Sequence, residues 1–139
     1  MNINQHELTF MTVGRGTQEI STDVSKVILE YKINMGICHL FLKHTSASLM
    51  INENYDVQVR KDFENFLCRL IPDGDPIFKH TIEGKDDMPA HIRTILTKTE
   101  MTIPICDGKL ALGAWQGVFL YEHRYAAHQR HIMITIIGK

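Results

Sequence analysis

The stretch ICHLFLKHTSASLMINEN, residues 37–54, decides how this chain is read. Its first half alternates. Cys38, Leu40 and Leu42 share one face of an extended segment, because strand side chains repeat every two residues, and His44 ends that apolar face. The second half sets a histidine, a threonine, two serines and two asparagines around Leu49, Met50 and Ile51. Residues 49–52, LMIN, predict a further short strand. Two readings of the small polar groups stand side by side. Ser and Thr hydroxyls commonly satisfy backbone groups where a strand bends. Alternatively, His44 supplies a titratable ring or a metal-binding nitrogen while Thr45, Ser46, Ser48 and Asn52 present hydrogen-bonding groups to an anionic or polar ligand.

Upstream of this stretch, ELTFMTV (7–13) is β-rich, GRG (14–16) punctuates it, and TQEIS (17–21) is expected to return as its hairpin partner. Val24, Val27, Ile28 and Tyr31 then follow a helical i, i+3, i+4, i+7 pattern, with Ser21 or Thr22 as N-cap and Gly36 as terminator. Downstream, Asp56 or Asn54 is placed to cap a second helix whose expected buried stripe is Val59, Phe63, Phe66, Leu67 and Leu70. PDGDP (72–76) ends that helix. After a polar, acidic segment, Pro89 opens a short third helix with Met88, Ile92, Ile95 and Leu96 apolar. Asp107-Gly108 is a hairpin turn between two strands, and WQGVFLYEHR (115–124) and RHIMITIIG (130–138) supply the last strands. The sum is an α+β chain, a mostly antiparallel β-sandwich with two longer helices and one short one.

The length of 139 residues suits one domain, residues 1–139. Hydrophobic residues at 44% and charged residues at 22% are ordinary globular values, which exclude disorder and fibrous repeats. A net charge of -1 with scattered Lys and Arg gives no footprint for nucleic acid. No signal-like N-terminus or membrane-length apolar run stands out, so the expectation is a cytoplasmic protein without a membrane partner. Cys38, Cys68 and Cys106 lie far apart in no metal or redox spacing, and are read as reduced.

The eight histidines exceed ordinary composition, so their placement matters. HTIEGKDDMPAHI (80–92) gathers His80, Glu83, Asp86, Asp87 and His91 within a short span beside a helix start, whose free N–H groups favour anions. His80 and Asp86 or Asp87 have a plain structural reading as surface and N-cap residues. They also offer ligands for zinc or a similar divalent ion with one position left open. Glu122 and Arg124 prolong an apolar stripe, and buried charges there must pair or bind a ligand. Trp115 is expected in the core. His123, His128 and His131 are expected at the surface.

HTSASLMINEN, EGKDDMPAHIRTIL, TIPICDGKLALGAWQGVFLYEHR and the closing ITIIG together resemble the YjbQ-like family, also known as secondary thiamine-phosphate synthase enzymes. The likeness runs from about residue 5 to the C-terminus. Tyr55 departs from it, at a position where the family more usually has a small residue. The resemblance implies an α+β fold, a homotrimer built around packed sheets, and a weak activity joining hydroxymethylpyrimidine diphosphate to a thiazole phosphate with loss of pyrophosphate. It carries over to His44, Thr45, Ser46, Ser48, Asn52, Asn54, His80, Asp86, Asp87, His91, Gln116, Glu122 and Arg124.

The expected function is therefore an enzyme acting on small phosphorylated metabolites. His44, Asp87 and Glu122 are the expected catalytic groups. Thr45, Ser46, Ser48, Asn52, Gln116 and Arg124 are the expected substrate contacts, and His44, His80 and His91 are the expected ligands of a divalent ion, zinc or magnesium. A metal-dependent hydrolase and a non-catalytic trimeric module binding an anionic metabolite are the alternatives.

Overall fold

The computed structural model describes residues 1–139. Eight strands and three helices follow one another as β1 (Asn2–Met11), β2 (Gly16–Glu19), α1 (Ser21–Tyr31), β3 (Gly36–Leu42), β4 (Ala47–Glu53), α2 (Val57–Leu70), α3 (Asp87–Leu96), β5 (Glu100–Cys106), β6 (Lys109–Leu110), β7 (Gln116–Glu122) and β8 (Gln129–Gly138). They form a five-stranded sheet in the order β1-β8-β3-β5-β6 and a three-stranded sheet in the order β2-β7-β4. All pairings are antiparallel. Both sheets and α1 contribute to one buried core, which joins Leu40, Ile134 and Ile136 to Leu49, Val118 and Leu120 and to Val24 and Ile28. The α+β reading holds.

The expected hairpin between the first two strands does not form. β1 pairs with β8 and β2 with β7, so the GRG segment carries the chain from one sheet to the other. Helix α1 is capped by neither Ser21 nor Thr22. Its N-cap is Ile20 with no side-chain bond, and the Ser21 hydroxyl instead accepts from Val118 N–H at 2.8 Å, tying the helix start to β7. Nor does Gly36 end the helix, which stops at Lys32 in the left-handed region. Gly36 lies in β3, where a Cβ would come within 2.1 Å of the Ile137 carbonyl oxygen. Asp56 does cap α2, its carboxylate accepting from Gln58 N–H at 2.9 Å. The turn at Asp107 (φ 51) and Gly108 (φ 73) is the left-handed pair a two-residue hairpin requires.

Neither later helix buries the apolar stripe expected of it. In α2 no residue is buried, and Phe66 and Leu70 are more than half exposed. Helix α3 begins at Asp87, two residues ahead of Pro89. It buries Asp87, Pro89, Ala90 and Arg93 and leaves Ile95 and Leu96 outside. Arg93 is completely buried because both carboxylate oxygens of Glu64 on α2 accept from it, at 2.8 and 3.1 Å. An ion pair, rather than an apolar stripe, joins these helices.

Candidate metal centre

Helix α3 places Asp87 and His91 one turn apart on the same face, the i, i+4 relation. The segment before it folds back to bring His80 to the same point. The Oδ2 of Asp87 lies 2.7 Å from His80 Nε2 and 3.2 Å from His91 Nε2, and the two imidazole centroids are 5.4 Å apart. One ligand atom from each residue falls within 4.8 Å of the others, and the set is accessible, with the His80 side chain 45% exposed.

Each ligand is aimed by a further bond. His91 Nδ1 lies 2.9 Å from the Thr45 carbonyl oxygen, which can only accept, so Nδ1 carries a proton and Nε2 is the nitrogen turned toward Asp87. Asp87 Oδ1 accepts from Arg124 at 2.9 Å, leaving Oδ2 for the histidines. Burial raises the Asp87 pKa, but the His80 hydrogen bond and the charges of His91 and Arg124 outweigh it and hold the carboxyl below its usual range. Two imidazole nitrogens and one anionic oxygen, with supporting bonds to the outer side of the ligands, suit zinc or a similar divalent ion.

His44 lies outside this cluster, so the structure does not bring the expected three histidines together. Its Nε2 accepts from the His131 backbone N–H at 2.8 Å, and its ring stacks on that of His131. Burial first, then the charges of Arg130 and His131, lowers its pKa, so the ring is neutral at pH 7.

Other expected contacts are already committed to the protein. Arg124 donates from Nε to Asp86 at 3.0 Å, from one terminal nitrogen to Asp87 and from the other to the Glu83 carbonyl at 2.7 Å. It positions Asp87 and is itself only 8% exposed. Glu122, 1% exposed, accepts from Thr12, from Arg124 N–H and from Arg130. Burial raises its pKa, and the bonds from Arg130, Arg124 N–H and Thr12 bring it below the ordinary value. Ser46 accepts from Arg130 at 2.9 Å. Thr45 is exposed, and its carbonyl receives His91 and Thr94.

Ser48 is fully buried between Thr97 and His123, whose Nε2 is 2.8 Å from Ser48 Oγ. Thr97 donates to the Arg93 carbonyl, so Ser48 donates to Thr97 and accepts from His123. This chain of donors leaves His123 Nδ1 buried and unpaired. His123 is thus interior, against the surface expectation. Burial, followed by the charges of Arg93, Arg15 and Arg130, lowers its pKa to about 3.

Asn52 and Gln116 belong elsewhere. Ala47 faces Glu122 across the β4–β7 ladder, whereas Asn52 faces Gly117, five residues further along and roughly 16 Å away at strand spacing. Both line a separate groove with Phe63, Phe66 and Leu96. Asp87, offered as a possible ligand by its segment but absent from the three-histidine set, is the third member of the observed cluster, and the Asp-x-x-x-His spacing on a helix was its available signal.

The sequence profile described as UPF0047 protein YjbQ-like matches residues 6–139. The UPF0047 protein sll1880 of Synechocystis is 43% identical over 136 residues, covering 98% of this chain and 92% of the relative. The UPF0047 protein YjbQ of Escherichia coli O157:H7 is 38% identical over 136 residues, covering 97% and 98%. Among solved structures, an uncharacterised conserved protein of the YjbQ/UPF0047 family from Clostridium acetobutylicum superposes with a TM-score of 0.86 at 33% identity. That match covers 95% of this chain and 99% of the other. No helix is long and apolar enough to cross a membrane.

Proposed function

Since the chain belongs to the YjbQ-like UPF0047 family, we propose that it is a divalent-metal enzyme acting on small phosphorylated metabolites, with His80, His91 and Asp87 holding the ion. The observation that carries this reading is the convergence of both Nε2 atoms on one Asp87 oxygen, with the other donor and acceptor atoms of His91 and Asp87 fixed by Thr45 and Arg124. A divalent ion so held leaves positions open to polarise a phosphoryl oxygen or lower the pKa of a bound water. The chain's own residues supply orientation. Arg124 fixes the Asp87 rotamer, and the Thr45 carbonyl fixes the His91 tautomer.

A cleft of about 370 Å³ adjoins the triad, with His80 in its wall and Gly74, Asp75, Phe78, Lys85 and Met88 around it. Lys85 is its basic lining residue, suited to a phosphate beside the ion. Thiamine-phosphate formation, the reaction implied by the family resemblance, expels pyrophosphate and so fits such a centre. A hydrolase fits through the open positions.

We also propose a homotrimer assembled on the outer face of the five-stranded sheet. There Ile3, Ile137, Ile37 and Pro104 align in one row across four strands, and Ile3 and Ile37 are exposed. Exposed apolar rows of this kind mark association surfaces.

The test is product analysis with zinc- and magnesium-loaded protein, using a phosphate-ester panel and the two synthase substrates, beside Asp87→Asn. Metal-dependent turnover that falls at least about a hundredfold in folded Asp87→Asn is expected. Ligand binding without turnover on any substrate would replace the enzyme with a binding module. Light scattering that gives a monomer at micromolar concentration would overturn the trimer.

A further inference from the structure

Away from the triad, the chain's single tryptophan stands in the open. Trp115 is 60% exposed and Tyr55 is 79% exposed, against the expectation that Trp115 is core. Their rings meet edge to face, with centroids 5.1 Å apart and planes at 88°. With Glu53, Asp56 and Val59 they line a cleft of about 700 Å³ that contains no basic residue.

The corner is built by the backbone. Asn54 N–H donates to the Trp115 carbonyl at 2.9 Å, fastening the segment that carries Tyr55 to the one that carries Trp115. The turn before β7 is closed by Gln116 N–H to the Gly113 carbonyl at 3.0 Å and by Gly113 N–H to the Gln116 side chain at 2.8 Å. Gly117 permits the approach, since a Cβ there would meet Asn54 Cβ at 2.9 Å. Glu53 accepts from Asp56 N–H and Asp56 from Gln58 N–H, so both carboxylates are held at the cleft.

We propose that this corner binds a small organic cation carrying a quaternary nitrogen. The edge-to-face contact covers part of one ring, and the π surface left at this right-angled corner suits a bulky, weakly hydrated cation, with the two carboxylates supplying the charge. A compact, strongly hydrated ion such as sodium gains less from such walls. Neutral apolar molecules gain nothing from the carboxylates. The site is independent of the metal centre.

Trp115 reports on its own site, because its fluorescence is the only tryptophan signal in the chain. Choline and tetramethylammonium chloride are titrated at ionic strength matched with sodium chloride, beside dimethylbutanol, the neutral carbon isostere of choline. Saturable changes with both cations, at dissociation constants from about 0.1 to 10 mM, are expected, with none for the alcohol. Tyr55→Ala should weaken choline binding about tenfold. The paired change Glu53→Gln with Asp56→Asn should weaken it comparably while keeping every hydrogen bond, since Asn caps a helix as well as Asp does. Unchanged thermal unfolding confirms that these variants are folded. Equal binding of the alcohol, absence of saturation with either cation, or unaltered affinity in both folded variants overturns the proposal.

Discussion

Two clusters, each containing histidine and a carboxylate, flank the start of β4. On one side, His80 and His91, with side chains 45% and 31% exposed, converge on a buried Asp87. On the other, Glu122 with Arg130, and His123 with Ser48 and Thr97, form a closed network, with Glu122 at 1% and His123 at 0% exposure. The presence of histidine and a carboxylate does not distinguish the two clusters. What distinguishes them is whether any donor or acceptor still faces outward. Arg130 and Glu122 satisfy each other in the interior, while the imidazole nitrogens of the triad meet over one shared oxygen. The open cluster is therefore the one proposed to take a ligand, while the closed one links β8 to β7 and to the segment before β4.

That contrast breaks most visibly at Glu122. Replacing it by Gln leaves the Arg130 guanidinium buried without its anion, a loss of about 3–5 kcal/mol by the usual scale for one partner of a buried pair. Denaturant unfolding of Glu122→Gln measures it. A loss below about 1 kcal/mol would mean that the closed network is not structural.

A smaller effect is expected from pH. His123 has a folded pKa of about 3 against an ordinary 6.5, so below pH 6.5 the unfolded chain binds a proton that the folded chain refuses. Stability should therefore fall by up to about 1.4 kcal/mol per pH unit from this residue as pH drops below 6.5. His44, also lowered, adds in the same direction. The depressed carboxyls of Asp87 and Glu122 contribute stability that is present above the unfolded carboxylate range and lost only at lower pH, as the folded groups protonate. Unfolding free energies between pH 5 and 7, compared with His123→Gln, should show the slope shrink in the variant. An equal slope would place a proton on His123 in the folded state.

Much of this architecture was legible locally. The alternation of Cys38, Leu40 and Leu42 and of Ile132, Ile134 and Ile136 marks β3 and β8, and Asp107-Gly108 marks its hairpin, because period and turn chemistry are properties of adjacent residues. Pairing partners are not. β1 joins β8 across nearly the whole chain, and nothing in ELTFMTV indicates that. The exposed Phe66 and Leu70 show a related limit, since helical spacing says which residues share a face but not whether anything covers it. At the site, the segment around His80 and His91 was readable from composition. The fixing of His91 by a backbone carbonyl 46 residues away was not, because a carbonyl leaves no mark in sequence. The separation of His44 from the triad was likewise hidden, since its partner is the His131 backbone N–H.

Zinc titration by calorimetry tests the contrast most directly, with wild type, His91→Ala, His44→Ala and Ser48→Ala compared as folded proteins. One site in the wild type is expected, weakened at least about a hundredfold in His91→Ala, more than the loss of a supporting group usually costs. His44→Ala and Ser48→Ala should keep affinity within about tenfold. Loss of binding in His44→Ala as large as in His91→Ala, or no zinc site in the wild type, would contradict the assignment of the open triad as the functional centre.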